Sequence, residues 1–305
     1  MKKKSLFAFV AVGLWGLTAC SNDKDFPQLE ETREEVCFQV DVNSLQARAS
    51  HADASTFDDF GISIVSASGN QNYDWNNVKV TASGTETSRT WTPAQSMYWK
   101  YGQQTIDVLA YTPFKANVAN LAQNTKLPVS VSAQQGPEKY ESDFLVYKEK
   151  GINPVTSDGK FNTLDVNFKH VMSQLNINLT FQGYSEAAIS DVKRIKLGGT
   201  VLKGTCNFTK TKTLVAPTKD AAAVITVEKA GKTQQTVAYT AILVPQTVKS
   251  GNLSVSFSID GWDYTWKSTE TYTFEENTSY TLNITAKDSN TIAASIQSRA
   301  WGVNR

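Results

Sequence analysis

The stretch from Leu164 to Phe181, LDVNFKHVMSQLNINLTF, restricts the fold more than any other part of the sequence. Leu164, Val166 and Phe168 share one parity, whereas Leu175, Ile177, Leu179 and Phe181 share the other, with polar residues between them. A β-strand turns successive side chains to opposite faces, so each half reads as a strand with one buried face. Parity cannot change along an unbroken strand, so His170 to Gln174 requires a bulge, bend or turn. The break falls near the middle of a chain of 305 residues, a natural place for two β-domains to meet.

The same alternation recurs along the chain. Val36, Phe38, Val40 and Val42 stand on one side of a first strand. Residues 57–64, 78–80, 106–111, 129–131 and 144–147 follow in the first half. In the second half the candidates are 164–168, 175–181, 192–197, 200–208, 223–228, 236–243, 253–259, 262–267, 271–274, 280–286 and 291–296. Turns are expected at Gly198-Gly199, 229–232, 249–252, Asp260-Gly261 and 275–278. Many short alternating runs without a long 3.6-residue period predict an all-β chain of antiparallel sandwiches rather than an α/β fold. The division is expected near 158–163, giving parts at 36–160 and 161–305 whose sheet pairings are free to interleave.

The N-terminus carries a different signal. Lys2, Lys3 and Lys4 precede the apolar run LFAFVAVGLWGL, which ends at Leu17-Thr18-Ala19-Cys20. A basic start, a short apolar core and small residues before the cut describe an export signal over residues 1–19, too short for an ordinary spanning helix. The LTAC ending resembles the lipobox of bacterial lipoproteins, in which the cysteine is acylated. This makes Cys20 the expected lipid anchor and the outer membrane the expected location. The polar, charged residues 20–35 then read as a tether. Losing the three lysines takes the formal charge from +1 to −2, which leaves no basic footprint for nucleic acid. Cys37 and Cys206 remain, and sequence alone leaves them as a disulfide or as two thiols.

No catalytic constellation is visible. His51 sits in a polar segment, and His170 lies in the parity break, where a hydrogen-bonded structural role is expected. Neither has metal-ligand spacing, and no phosphate loop or serine elbow is present. Asp58, Asp59, Asp107, Asp143 and Asp165 lie near strands, but paired acids act only through a geometry that sequence does not give. No enzyme activity, metal or cofactor is implied. Trp262, Tyr264 and Trp266 share a parity and offer two readings, core packing or an aromatic shelf for sugar rings.

Taken in order, several segments carry a family resemblance. They are LTAC, the strand followed by Ala47-Arg48-Ala49, Asp143 to Tyr147 (DFLVY), Val166 to Leu175 (VNFKHVMSQL), Ile195 to Gly199 (IKLGG), Ala241 to Gln246 (AILVPQ) and the Tyr280 region. On these the chain resembles the fimbrillin family, of the Mfa-like type found in Bacteroides-group bacteria. The resemblance implies two transthyretin-like β-sandwich domains and a pilus subunit that is built into a stalk, an anchor or a tip. It also implies an arginine-specific processing protease and other fimbrial subunits as partners, joined by donor-strand insertion. Carried onto this sequence, the cut would fall between Arg48 and Ala49, and the removable strand would hold Val36, Phe38, Val40 and Val42. Arg33 is a weaker site, because a cut there leaves that strand attached, and a cut at Arg89 would enter the domain.

The implication has a physical content. Four buried apolar side chains at about 1.5–3 kcal/mol each give a gross term of about 6–12 kcal/mol, before the cost of ordering the strand. Removing them leaves an apolar groove and an unpaired sheet edge, which a strand of the same alternation refills. Ile292, Ala294 and Ile296 offer such a set near the C-terminus, as the candidate donor. The competing reading is a surface lipoprotein that binds glycans and never polymerises.

Overall fold

A computed structural model describes residues 34–42, 53–66, 75–85, 88–99, 105–118, 121, 126–137, 139–155, 163–208, 210, 214–288 and 291–301. The export signal, Cys20, Arg33, Arg48, Ala49 and His51 lie outside them. Regular structure among the described residues is almost wholly β, with one short helix, Glu186–Asp191, and a 3-10 turn, Ala54–Thr56.

A seven-stranded sheet runs, edge to edge, Phe38–Val42, Leu164–His170, Leu145–Ile152, Ile106–Thr112, Asp59–Ser66, Trp75–Thr85 and Ser88–Pro93. Each strand sends alternate apolar residues to one side, and the sheet curls around them. Val36, Phe60, Ile62, Val80, Val108, Leu145, Val166 and Phe168 thus share one core. Phe168 meets Phe57 and Phe60 edge-on, with ring centres 5.6 and 5.5 Å away, the arrangement that aromatic quadrupoles favour.

A nine-stranded sheet carries the second core. Its path is Trp262–Lys267, Ser254–Ile259, Arg194–Thr200, Ala223–Lys232, Thr236–Leu243, Ser173–Gln182, Thr278–Lys287 and Thr291–Ala300, with Gln134–Gln135 beside Ala223–Lys232. Leu175, Ile177, Leu179, Leu197, Ile225, Tyr239, Val255 and Leu282 fill its interior. The expected parity break is the point where the chain changes sheets. Leu164–His170 belongs to the first sheet and Ser173–Gln182 to the second, joined through buried Val171 and Met172.

Pairing crosses the 160/161 division in both directions. Leu164–His170 lies in the first sheet, while Lys126–Ser130 pairs with Lys203–Asn207, and Gln134–Gln135 with the second sheet. Tyr111 and Val146, on the other face of the first sheet, and Phe144, just before the strand Leu145–Ile152, pack into the second core.

Two segments expected as turns are instead bulges inside strands. The register of Arg194–Thr200 against Ala223–Lys232 slips between Leu197 and Thr200, and that of Ala223–Lys232 against Thr236–Leu243 slips between Lys229 and Gly231. Gly199 takes φ +94°, and a Cβ there would sit 2.1 Å from the Asn252 carbonyl oxygen; a glycine that marks a turn in sequence can equally mark a bulge. Asp260-Gly261 is a true hairpin turn, with both residues at positive φ.

Candidate functional site

The leading segment, residues 34–42, is held along two flanks. Phe38–Val42 runs parallel to the neighbouring strand, from Phe38 opposite Leu164 to Val42 opposite Phe168. Upstream, Val36 N–H donates to the Met97 carbonyl and Trp99 N–H to the Glu34 carbonyl, both at 2.8 Å. Residues 97–99 follow Ser88–Pro93, the last strand of the curled sheet, so the leading segment joins the sheet's two ends. Its side chains alternate: Val36 and Val42 are buried, Phe38 and Val40 are half-buried against the core, and Cys37, Gln39 and Asp41 are exposed.

Two of the four inward residues are therefore fully buried, which lowers the gross apolar term. Val36 and Val42 supply about 3–6 kcal/mol together, with a partial contribution from Phe38 and Val40. Extracting the segment also strips partners from the Met97 carbonyl, the Trp99 N–H and the Leu164 N–H, which donates to the Cys37 carbonyl at 2.8 Å. Such an edge is costly when dry and adhesive toward another strand.

At the other end of the chain, Thr291–Ala300 forms the edge of the second sheet, antiparallel to Thr278–Lys287 over ten paired positions. Ile292 and Ile296 are half-buried against the second core, and Ala294 is exposed. The strand ends on Trp301, which is buried and lies flat on His170 with ring centres 4.0 Å apart and planes 7° apart. His170 Nδ1 lies 3.1 and 3.0 Å from the two carboxylate oxygens of Asp143. Asp143, His170 and Trp301 are far apart in sequence, and only the tertiary fold brings them together.

The three aromatic residues on the strand Trp262–Lys267 do not form one shelf. Trp262 is 61% exposed, Trp266 is half-buried and Tyr264 is buried. The Tyr264 ring stacks on Phe257 at 5.4 Å, and its hydroxyl donates to the Lys287 carbonyl. Among the described residues no cluster of histidine, cysteine and acidic side chains is arranged to hold a metal ion, and no helix is long and apolar enough to cross a membrane.

Arg89 sits within a strand with its guanidinium engaged, donating to the Phe57 carbonyl at 2.5 Å and to Asp58 at 3.1 Å. A protease that must extract an arginine side chain and its extended backbone meets resistance there. The cysteines also differ. Cys37 is exposed, whereas burial pushes the Cys206 thiol up to about 12. Because the thiolate is the nucleophile, a maleimide is expected to modify Cys37 in the native protein and Cys206 only after denaturation. Equal labelling of both in native protein, read by peptide mass spectrometry, would contradict this placement.

Comparison with known proteins is consistent with these features. The family model described as fimbrillin-like matches residues 47–301. The fold is shared with a candidate cell-adhesion protein from Bacteroides uniformis, at 17% identity and a TM-score of 0.61, covering 88% of this chain and 98% of that one. A candidate cell-adhesion protein from Bacteroides ovatus gives 16% identity and a TM-score of 0.61, covering 90% and 100%. A fimbrial protein from Bacteroides vulgatus gives 14% identity and a TM-score of 0.51, covering 88% and 100%. No curated protein matches the sequence.

Proposed function

The chain belongs to the fimbrillin-like family, and on that premise we propose that it is a fimbrial subunit that assembles by strand exchange at the cell surface. The observation that carries this reading is the leading segment: a short edge strand, apolar on one face, set between the two ends of a curled sheet. An edge strand of this kind is separable from the fold behind it, and its slot accepts backbone and alternate side chains from another chain. Lipid on Cys20 would deliver the precursor to the outer membrane, and a cut between Arg48 and Ala49 would separate the segment from the body. In this reading the two β-cores would stand for the two transthyretin-like domains that the family resemblance implies, and no cofactor enters the scheme.

The outgoing strand would be Thr291–Ala300. Ile292 and Ile296 are four residues apart, the spacing of Phe38 and Val42 or of Val36 and Val40 in the slot. In the precursor this strand completes its own sheet, so it would have to leave that sheet before serving a neighbour.

Purified precursor treated with an arginine-specific protease is expected to give a ladder on native gels, with residues 20–48 lost from the body. Arg48→Ala should stay monomeric under the same digestion. A cut wild-type chain that remains monomeric yet binds defined glycans on an array would instead favour a non-polymerising lectin-like lipoprotein, with exposed Trp262 as the first residue to test.

A further inference from the structure

We infer that Trp301 and His170 form a latch that keeps the C-terminal strand in its own sheet. This deepens the strand-exchange reading and rests on it for its biological meaning. The strand Thr291–Ala300 is lightly held along its length: beside its ladder it approaches the strand Trp262–Lys267, Ile292 and Ile296 are half-buried against the core, and most of its other described side chains are exposed. Its end is fixed more firmly. At the finish, Trp301 N–H donates to the Asn277 carbonyl at 2.9 Å, and Asn277 N–H donates to the Met172 carbonyl at 3.0 Å. Met172 lies two residues beyond His170, so backbone and ring both tie the strand end to the crossing between the sheets.

The joint is not fully satisfied. Trp301 Nε1 and His170 Nε2 are buried without a hydrogen-bond partner among the described residues. A buried donor or acceptor left unpaired favours any state in which water or a new partner reaches it. Opening the stack relieves both atoms, whereas keeping it closed preserves the ring contact and the ladder. That balance is what a releasable contact requires and a permanent core contact does not.

The His170 end of its strand is held apart from the leading segment. His170 pairs with Leu145 and Lys169 with Val146, and Val171 N–H donates to the Phe144 carbonyl at 3.3 Å, whereas the leading segment pairs with residues 164–168.

Hydrogen exchange on the full precursor tests this without any polymerisation. In Trp301→Ala the amides of 292–300 that are protected in the wild type should exchange at least about tenfold faster, with those of Thr236–Leu243 unchanged. Trp301→Phe, which keeps a ring over His170, should restore most of the protection. Unchanged exchange there in Trp301→Ala, or equal acceleration in both strands, would overturn the latch. Failure to form ladders after cutting would count against strand exchange and leave the latch reading independent.

Discussion

Val42→Asp is expected to unseat the leading segment without any proteolysis. Val42 is 4% exposed and faces the same core as Phe168, across from which it is paired. Burying an unpaired carboxylate there costs several kcal/mol or more. The two fully buried valines of the segment give only about 3–6 kcal/mol of apolar stabilisation, so the substitution competes with most of what holds the segment in place. The body behind it keeps Phe60, Ile62, Val80, Val108 and Val166, and should remain folded. The expected result is faster exchange of the amides in 36–42, binding of an apolar dye and native-gel ladders in the absence of protease. Val42→Ile should remain monomeric. A Val42→Asp protein that is protected, monomeric and silent to the dye would mean that the segment is not a separable element.

Phe168→Ala is expected to lower stability by about 3–5 kcal/mol, the usual range for removing a buried aromatic ring from a packed core. The ring is fully buried and makes edge-on contacts with Phe57 and Phe60. The loss should appear as a lower denaturant midpoint for the first core. It should also release the leading segment more readily, because the void opens directly opposite Val42. A change below about 1 kcal/mol would mean that neighbouring side chains collapse into the space and that this cluster is not the centre of the first core.

Much of the fold is legible in the sequence, because alternation is a direct consequence of strand geometry. The parity switch between Phe168 and Leu175 marks the point at which the chain leaves one sheet for the other, and the first strand shows its inward side at Val36, Phe38, Val40 and Val42. What sequence misread has a physical reason in each case. Gly198-Gly199 and residues 229–232 carry turn composition but sit in bulges, since both features draw on the same glycine conformations. The strands Val215–Pro217 and Gln246–Val248 and the helix Glu186–Asp191 are too short to establish a period. The parallel pairing of Phe38–Val42 with Leu164–His170 spans more than a hundred residues, and no local pattern encodes it. The same holds for Asp143, His170 and Trp301: the sequence predicts a structural, hydrogen-bonded histidine, but its two partners become visible only once the sheets are assembled.

The most direct test of the central claim is to lock the slot shut. Gln39 and Asp165 are exposed and directly paired across the two parallel strands, so Gln39→Cys with Asp165→Cys, in a Cys37→Ser background, should close a disulfide between the leading segment and the body. After cutting at Arg48, native gels of the oxidised protein should show monomer alone, and addition of a reductant should release ladders. Ladders that form while the disulfide remains closed, or a cut and reduced chain that stays monomeric, would contradict the account.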